Sequence, residues 1–359
     1  MEIANLMQNI SNDFIKLGCE SLSNDSNMGL KPRNHCILDA GCEVDDDVLA
    51  IEMDEGVRNR FIKLQKVNKA TPVFGIDTSN IILGDTYQGL LCAVRGSIVW
   101  KEKQTYQYVR HGPFIFNITE KNKHTLHQML NRINITRETA VGVPLFERLI
   151  NRIRFILERW LQKQTGEMTQ DSLILWDGSL TTQTVDNSPS GLNDLLQTAR
   201  MNHNYILAFS KQTKFLVSGR RLTDLIDDES SPCLVNIDDS VSSNSGSRLH
   251  HLGRIYATKL SPGPFTFRLD IDKCIPEADS FNALGRLLEN ELLTDSYPET
   301  LRLAHIFSRF SASEVLAMQR YVANSYGVQI DPKSDVRKVL FGPYGGSSYK
   351  RLNEYDANL

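Results

Sequence analysis

Hydrophobic positions follow a helical period most clearly after Pro144, where Leu149, Ile150, Ile153, Ile156, Leu157, Trp160 and Leu161 fall at i, i+1, i+4, i+7, i+8, i+11 and i+12. That spacing lines one face of a 3.6-residue turn and predicts an amphipathic helix. Other helical patterns occupy the start of the chain (Ile3, Leu6, Met7, Ile10 and Phe14), a basic segment over 57–69, and residues 192–202. Near the C-terminus, Ser311 and Glu314 have the spacing of a capping box ahead of an apolar-periodic stretch that runs to Tyr326. Extended segments are predicted at 73–77, at 81–94 with breaks at Gly84 and Gly89, and at 98–108. Their short spacing leaves no room for crossover helices, so the three should pair as an antiparallel meander. Two continuous apolar runs, Leu173-Ile-Leu-Trp-Asp177 and Tyr205-Ile-Leu-Ala-Phe-Ser210, read as buried strands. A last pair, 254–260 and 265–271, is joined by Ser-Pro-Gly-Pro, a strong turn signal.

In chain order these elements are a meander, a helix, a strand, a helix and a strand. The order matches an α/β ribonuclease H-like core, a mixed sheet in which an antiparallel meander is followed by helix–strand units, here with helical N- and C-terminal additions. Residues 1–70, with a polar stretch at 21–27 and the acidic run Glu43-Val-Asp-Asp-Asp, read as a helical and polar extension that ends at Pro72. Residues 71–325 form the expected main domain, with the polar, serine-rich 222–248 as a loop insertion, and 326–359 form a C-terminal extension. The sequence contains no internal repeat.

Composition narrows the class. The 359 residues are 41% hydrophobic and 23% charged, which is ordinary for a globular protein and unlike disordered, collagen-like or coiled-coil chains. A formal charge of −3 excludes non-specific coating of nucleic acid but allows a local basic groove. Six cysteines without any C-x-x-C argue against a disulfide scaffold, a zinc ribbon or a thioredoxin motif, and for reduced thiols. The first residues lack the basic and apolar regions of a signal peptide, and no run of about 18 apolar residues occurs, so the expected location is cytoplasmic.

Two of the predicted strands end on aspartate, Asp77 before Thr78-Ser79 and Asp177 before Gly178-Ser179. If those strands are neighbours running the same way, their carboxylates converge, and hard oxygen donors suit Mg²⁺ or Mn²⁺. Each aspartate alone has a plainer reading as a turn or cap residue; the pair, with the matching strand order, favours a metal site. Glu158 lies off the apolar stripe beside Arg154, where a glutamate ordinarily pairs with arginine in solvent. His305, among Leu301, Ala304 and Ile306 of a predicted helix, holds a position that ordinarily packs but can also ligate metal or position a water. Lys211 and Lys259, at strand ends, are candidates for phosphate contact. Arg152, Arg154, Arg220 and Arg221 are candidates for a basic groove.

The segments Val73-Phe-Gly-Ile-Asp77-Thr-Ser, Leu173-Ile-Leu-Trp-Asp177-Gly-Ser-Leu, Phe209-Ser-Lys211, Arg254-Ile-Tyr-Ala-Thr-Lys259-Leu and Tyr297-Pro-Glu-Thr-Leu-Arg-Leu-Ala-His305 occur in the order seen in the NurA nuclease family. Over roughly residues 70–325 the chain resembles that family. The resemblance implies a ribonuclease H-like fold and a deoxyribonuclease dependent on Mn²⁺ or Mg²⁺, with exonuclease and single-strand endonuclease activity. It also implies a role in end resection during DNA double-strand break repair, a hexameric HerA-type ATPase as partner, and a homodimer. It assigns Asp77, Glu158, Asp177 and His305 as metal ligands, and Lys211 as a further catalytic residue facing a phosphate oxygen. Two positions depart from the family pattern: Asp-Thr-Ser replaces Asp-Gly-Ser at the first strand, and Ser-Tyr-Pro replaces Gly-Tyr-Pro. Neither removes a ligand.

Two other readings compete. Phe-Gly-Ile-Asp-Thr-Ser also resembles the first phosphate loop of actin-like ATPases and sugar kinases. Those proteins need a duplicated core, and the glycine-rich Gly342-Pro-Tyr-Gly-Gly346 has no second core after it. A non-catalytic clamp that docks on the ATPase and grips DNA is disfavoured by the acidic set, because carboxylates without metal repel phosphate.

Overall fold

The computed structural model describes residues 8–23, 29–32, 50–51, 61–134, 142–182, 188–211, 213, 215–217, 219–227, 229–237 and 250–330. The acidic run at 43–47, Cys36 and Cys42, residues 238–248 and the 342–346 motif lie outside the described residues. Among the described residues, eleven strands join in one sheet. They are β1 (Gly29–Pro32), β2 (Phe61–Lys63), β3 (Val73–Thr86), β4 (Gly89–Glu102), β5 (Thr105–Thr119), β6 (Leu173–Asp177), β7 (Tyr205–Ser210), β8 (Cys233–Asn236), β9 (Gly253–Lys259), β10 (Phe267–Asp272) and β11 (Gln329–Ile330). The helices used below are α1 (Gln8–Ser23), α2 (Lys123–Ile133), α3 (Phe146–Met168), α4 (Pro189–Met201), α5 (Glu277–Asn290), α6 (Glu299–Ser308) and α7 (Ala312–Tyr326).

The centre of the sheet runs β5-β4-β3-β6-β7, antiparallel through the meander and then parallel from β3 to β6 and β6 to β7. This is the expected α/β, ribonuclease H-like order. Beyond β7 the strands β10, β9, β8 and β2 continue it antiparallel. Both faces are covered, as parallel strands require. Phe74, Ile76, Ile174 and Trp176 pack in one core with the apolar stripe of α3 and with Leu192, Leu195 and Leu196 of α4. Val73, Leu173 and Leu175 point the other way, against Leu284 and Leu287 of α5 and Leu301 of α6. Every apolar residue of the predicted α3 stripe is buried.

The structure corrects the sequence reading in four places. The meander strands are 14 or 15 residues long and turn at Tyr87-Gln88 and Lys103-Gln104, not at Gly84. Neither two-residue loop carries the Asn-Gly or Asp-Gly signal that marks such turns; Lys103 itself adopts the left-handed conformation, φ 59°. Gly84 instead lies inside β3 and pairs with Pro32 of β1. The described part of the basic segment, from residue 61, holds the short strand β2 and no helix, because Phe61–Lys63 pairs with β8. Within 222–248, the described part holds a 3₁₀ turn (Leu222–Ile226) and β8, whose Leu234 and Val235 are fully buried in the sheet. Finally, residue 70 is not an edge of the architecture. α1 inserts Phe14 against Phe114 and Phe116 of β5, and β1 pairs with β3 on one side and β11 on the other.

Candidate metal centre

β3 and β6 are parallel and in register up to Ile76 and Trp176, so the next residues, Asp77 and Asp177, stand side by side. Asp177 ends β6, whereas Asp77, expected at a strand end, lies inside β3, because antiparallel pairing with β4, Asp77 opposite Ser97, carries that strand on to Thr86. Side chains alternate along a strand, which puts both aspartates on the face covered by α5 and α6. There α6 crosses β3 at Gly75, where an added Cβ would come within 2.8 Å of the Thr300 carbonyl oxygen. Ser97 fixes the helix further by donating to the Ala304 carbonyl at 2.5 Å. His305 is thereby delivered to Asp77, with its Nδ1 3.0 Å from Oδ2, and Ser308 donates to the same oxygen at 2.8 Å. One ligand atom from each of Asp77, Asp177 and His305 lies within 4.8 Å of the other two. Lys211, just past β7, holds its Nζ 2.6 Å from Asp177 Oδ2. Four of the five residues expected at the site are therefore side by side.

The carboxyls differ electrostatically. Burial alone would raise Asp77, but the His305 hydrogen bond and charge, the Ser308 hydroxyl and Lys211 together hold it below the usual range. Asp177 moves the opposite way: burial raises it, the adjacent Asp77 charge adds to that, and Lys211 compensates only in part. A buried and a half-buried carboxyl a strand apart, with a half-buried imidazole, form a donor set that fits a hard divalent cation, because the oxygens are already converged.

Glu158 approaches from the opposite layer. Thr78 follows Asp77, so its side chain faces α3, where its hydroxyl donates to Glu158 Oε2 at 3.1 Å. Arg154 binds both groups, at 3.0 Å to Oε2 and 3.1 Å to the Thr78 oxygen. The expected Glu158–Arg154 pair is present, but it is buried, whereas the periodicity placed it in solvent. Burial raises the Glu158 carboxyl above the usual range; Arg154 and Arg159 counteract this, while the charges of Asp77 and Asp177 reinforce it. Glu158 thus feels both aspartates without belonging to the group of three mutually close ligands.

The architecture is similar to that of NurA nucleases of known structure. The NurA nuclease from Sulfolobus solfataricus matches with 16% identity and a TM-score of 0.47, covering 91% of this chain and 95% of that one. A structure of NurA with manganese matches at 9% identity and TM-score 0.40 over 75% of this chain and 92% of the other. Endonuclease V from Bacillus subtilis matches at 12% identity and TM-score 0.35, over 75% and 90%. No family model matches the chain, and no curated protein matches it in sequence.

Sequence reasoning missed Tyr297 as a site residue and used its Tyr-Pro only as a landmark. Its hydroxyl is buried and finds no hydrogen-bond partner among the described residues, and Lys211 Nζ lies 5.4 Å from its ring centre. Burial and the charges of Asp177 and Asp77 push this phenol well above its ordinary range. Ser308 and Arg309, whose Nη1 is 3.4 Å from His305 Nε2, were also missed; each sits one turn or less beyond His305 on α6 or its C-cap. The expected basic groove is not assembled by Arg152, which is buried and held by His127 at 2.7 Å and Asn131 at 2.6 Å, nor by Arg154, which is engaged with Glu158. Arg220 and Arg221 are exposed, and Lys259 donates to the Asp227 carbonyl. No helix among the described residues is long and apolar enough to cross a membrane.

Proposed function

We propose that this chain is a nuclease that hydrolyses phosphodiester bonds of DNA with a divalent cation, Mn²⁺ or Mg²⁺, held by Asp77, Asp177 and His305 with Glu158 beside them. The observation that carries the reading is the convergence of a helix-borne histidine with two aspartates of adjacent parallel strands, Asp77 within β3 and Asp177 at the end of β6. A cation bound there supplies a water of lowered pKa and neutralises charge on the phosphate. The protein's own groups supply the rest. Asp77 is kept ionised by His305 and Ser308 and is ready to bind a cation. The Lys211 ammonium, now on Asp177, is within reach of a phosphate oxygen and offers it a charge-assisted hydrogen bond. The buried Tyr297 hydroxyl, unpartnered among the described residues, is a donor available to substrate. Glu158, held by Thr78 and Arg154 in the opposite layer, adds a buried carboxylate behind Asp77.

Within this reading the chain acts as an exonuclease and single-strand endonuclease in the resection of double-strand breaks. It works in the cytoplasm as a homodimer with a hexameric HerA-type ATPase. These finer points are supported by the ordered set of five sequence motifs. The test is cleavage of end-labelled single- and double-stranded DNA with Mn²⁺, Mg²⁺ or EDTA. Metal-dependent cleavage that disappears in Asp77→Ala and Asp177→Ala is the expected result, and cleavage that survives both substitutions would refute it.

A further inference from the structure

Behind Asp177, on the sheet face away from the metal centre, lies an ion pair without solvent contact. Arg268 and Asp270 occupy alternate positions of β10 and share a face; they are 0% and 1% exposed. The guanidinium makes two parallel bonds to the carboxylate, Nε to Oδ1 at 2.8 Å and Nη2 to Oδ2 at 2.7 Å, and stacks 4.4 Å from the Phe215 ring centre. A buried pair of this kind is no gain in stability over well-packed apolar residues, so its use has to be sought in what it holds. Both partners reach past each other to the turn that leaves Asp177. Asp270 Oδ2 accepts the Leu180 backbone N–H at 2.9 Å, and Arg268 Nη2 donates to Thr181 Oγ1 at 2.9 Å. Gly253 makes room for this: a Cβ there would stand 2.9 Å from Asp270 Cβ and 3.0 Å from Leu180 Cβ. The same turn is tied from β7 by Phe209, which accepts from the Gly178 N–H at 2.8 Å, and by Ser210, which donates to the Gly178 carbonyl at 2.9 Å. Gly178 takes φ 119°, a conformation that glycine adopts without the strain a side chain would bring, and beyond it the turn is held by the buried pair.

We propose that Arg268 and Asp270 are positioning residues for the metal centre: they clamp the Leu180–Thr181 backbone so that the Asp177 carboxylate is presented in register with Asp77. This rests on the metal-site reading given above. Groups that hydrogen-bond a metal ligand from behind are worth ~10- to 100-fold in metal affinity; these two act one step further out, through the backbone of the turn. The test compares two double variants of the full chain. Arg268→Met with Asp270→Leu removes the pair and the acceptor for Leu180, whereas Arg268→Met with Asp270→Asn removes the pair but keeps an oxygen at that acceptor position. Mn²⁺ affinity is read by calorimetry and Leu180 amide protection by hydrogen exchange, with thermal unfolding as the control for folding. We expect the Met/Leu variant to lose at least tenfold in Mn²⁺ affinity and to exchange the Leu180 amide faster, and the Met/Asn variant to recover most of both. Thr181→Val, a smaller change, serves if a double variant does not fold, and should weaken Mn²⁺ binding severalfold. Wild-type affinity in a folded Met/Leu variant, or in Thr181→Val where that variant is needed, would overturn the positioning role alone. A wild-type protein that binds no Mn²⁺ would overturn the metal centre and the positioning role together.

Discussion

Asp77 and Asp177 stand side by side on adjacent parallel strands, yet their carboxyls are driven apart in pKa. The difference lies in their partners. Asp77 has a histidine and a serine hydroxyl from α6, whereas Asp177 has one lysine and the repulsion of Asp77 itself. Such divergence within one cluster is a mark of groups with different tasks. We therefore expect Asp77→Ala and Asp177→Ala each to reduce metal-dependent DNA cleavage by at least ~100-fold while the protein stays folded, because stabilising charge at the reacting phosphate is worth that much or more. Lys211→Met should separate binding from chemistry: the cleavage rate falls, while Mn²⁺ affinity, freed of a competing ammonium on Asp177, stays level or rises. A loss of Mn²⁺ binding in Lys211→Met would contradict this. At this scale the aspartates and His305 were legible because the ordered motifs mark them, although Asp77 lies inside β3 and not at the strand end expected there. The burial of Glu158 was not, because periodicity reports only the centre of an apolar stripe and not how far a second layer wraps around it. For the same reason Arg152 read as surface although α2 covers it.

At the scale of elements, the site depends on how closely α6 lies on the meander. Gly75 permits that contact, two residues before Asp77 on the same strand face. We expect Gly75→Ala to cost about 1–3 kcal/mol in unfolding free energy by overpacking, and to weaken Mn²⁺ binding as His305 is lifted from Asp77. Unchanged metal affinity would show that α6 tolerates the displacement. Past α6, Arg95 of β4 donates to the Arg309 carbonyl and to Glu314 of α7, fixing the corner between the two helices. Burial opposes the Glu314 carboxylate, but the hydrogen bonds and charge of Arg95 and the Ser311 N–H bring it down to about 2 from 4.5. The folded value is the lower one, so the stabilisation is complete above about pH 4.5 and is lost as pH falls towards 2. Urea unfolding should accordingly show Glu314→Gln less stable than wild type near neutral pH, with the gap closing below about pH 4.5; a gap independent of pH would contradict the bridge. The Ser311 capping box was readable because its chemistry is local. The hairpin turns were not, since Tyr87-Gln88 and Lys103-Gln104 carry no turn signature and are imposed by pairing along the whole strands.

At the scale of the molecule, the boundary suggested at residue 70 dissolves into the sheet. α1 covers Phe114 and Phe116, β1 bridges β3 to β11, and β2 continues the row begun by β8. Composition and charge blocks could not reveal this, because strands of three or four residues leave no periodic signal. A fragment of residues 71–325 should therefore be insoluble or lack a cooperative unfolding transition; a fragment that melts like the full chain would show that these additions are dispensable. The strand order at the centre, by contrast, was visible in the sequence, and with it the convergence on which the function rests. That convergence is tested most directly by anomalous X-ray scattering from crystals of the full chain soaked in Mn²⁺. We expect at least one manganese peak within bonding distance of carboxylate oxygens from both Asp77 and Asp177. Peaks confined to other places, or none at all, would contradict a metal centre at these two aspartates.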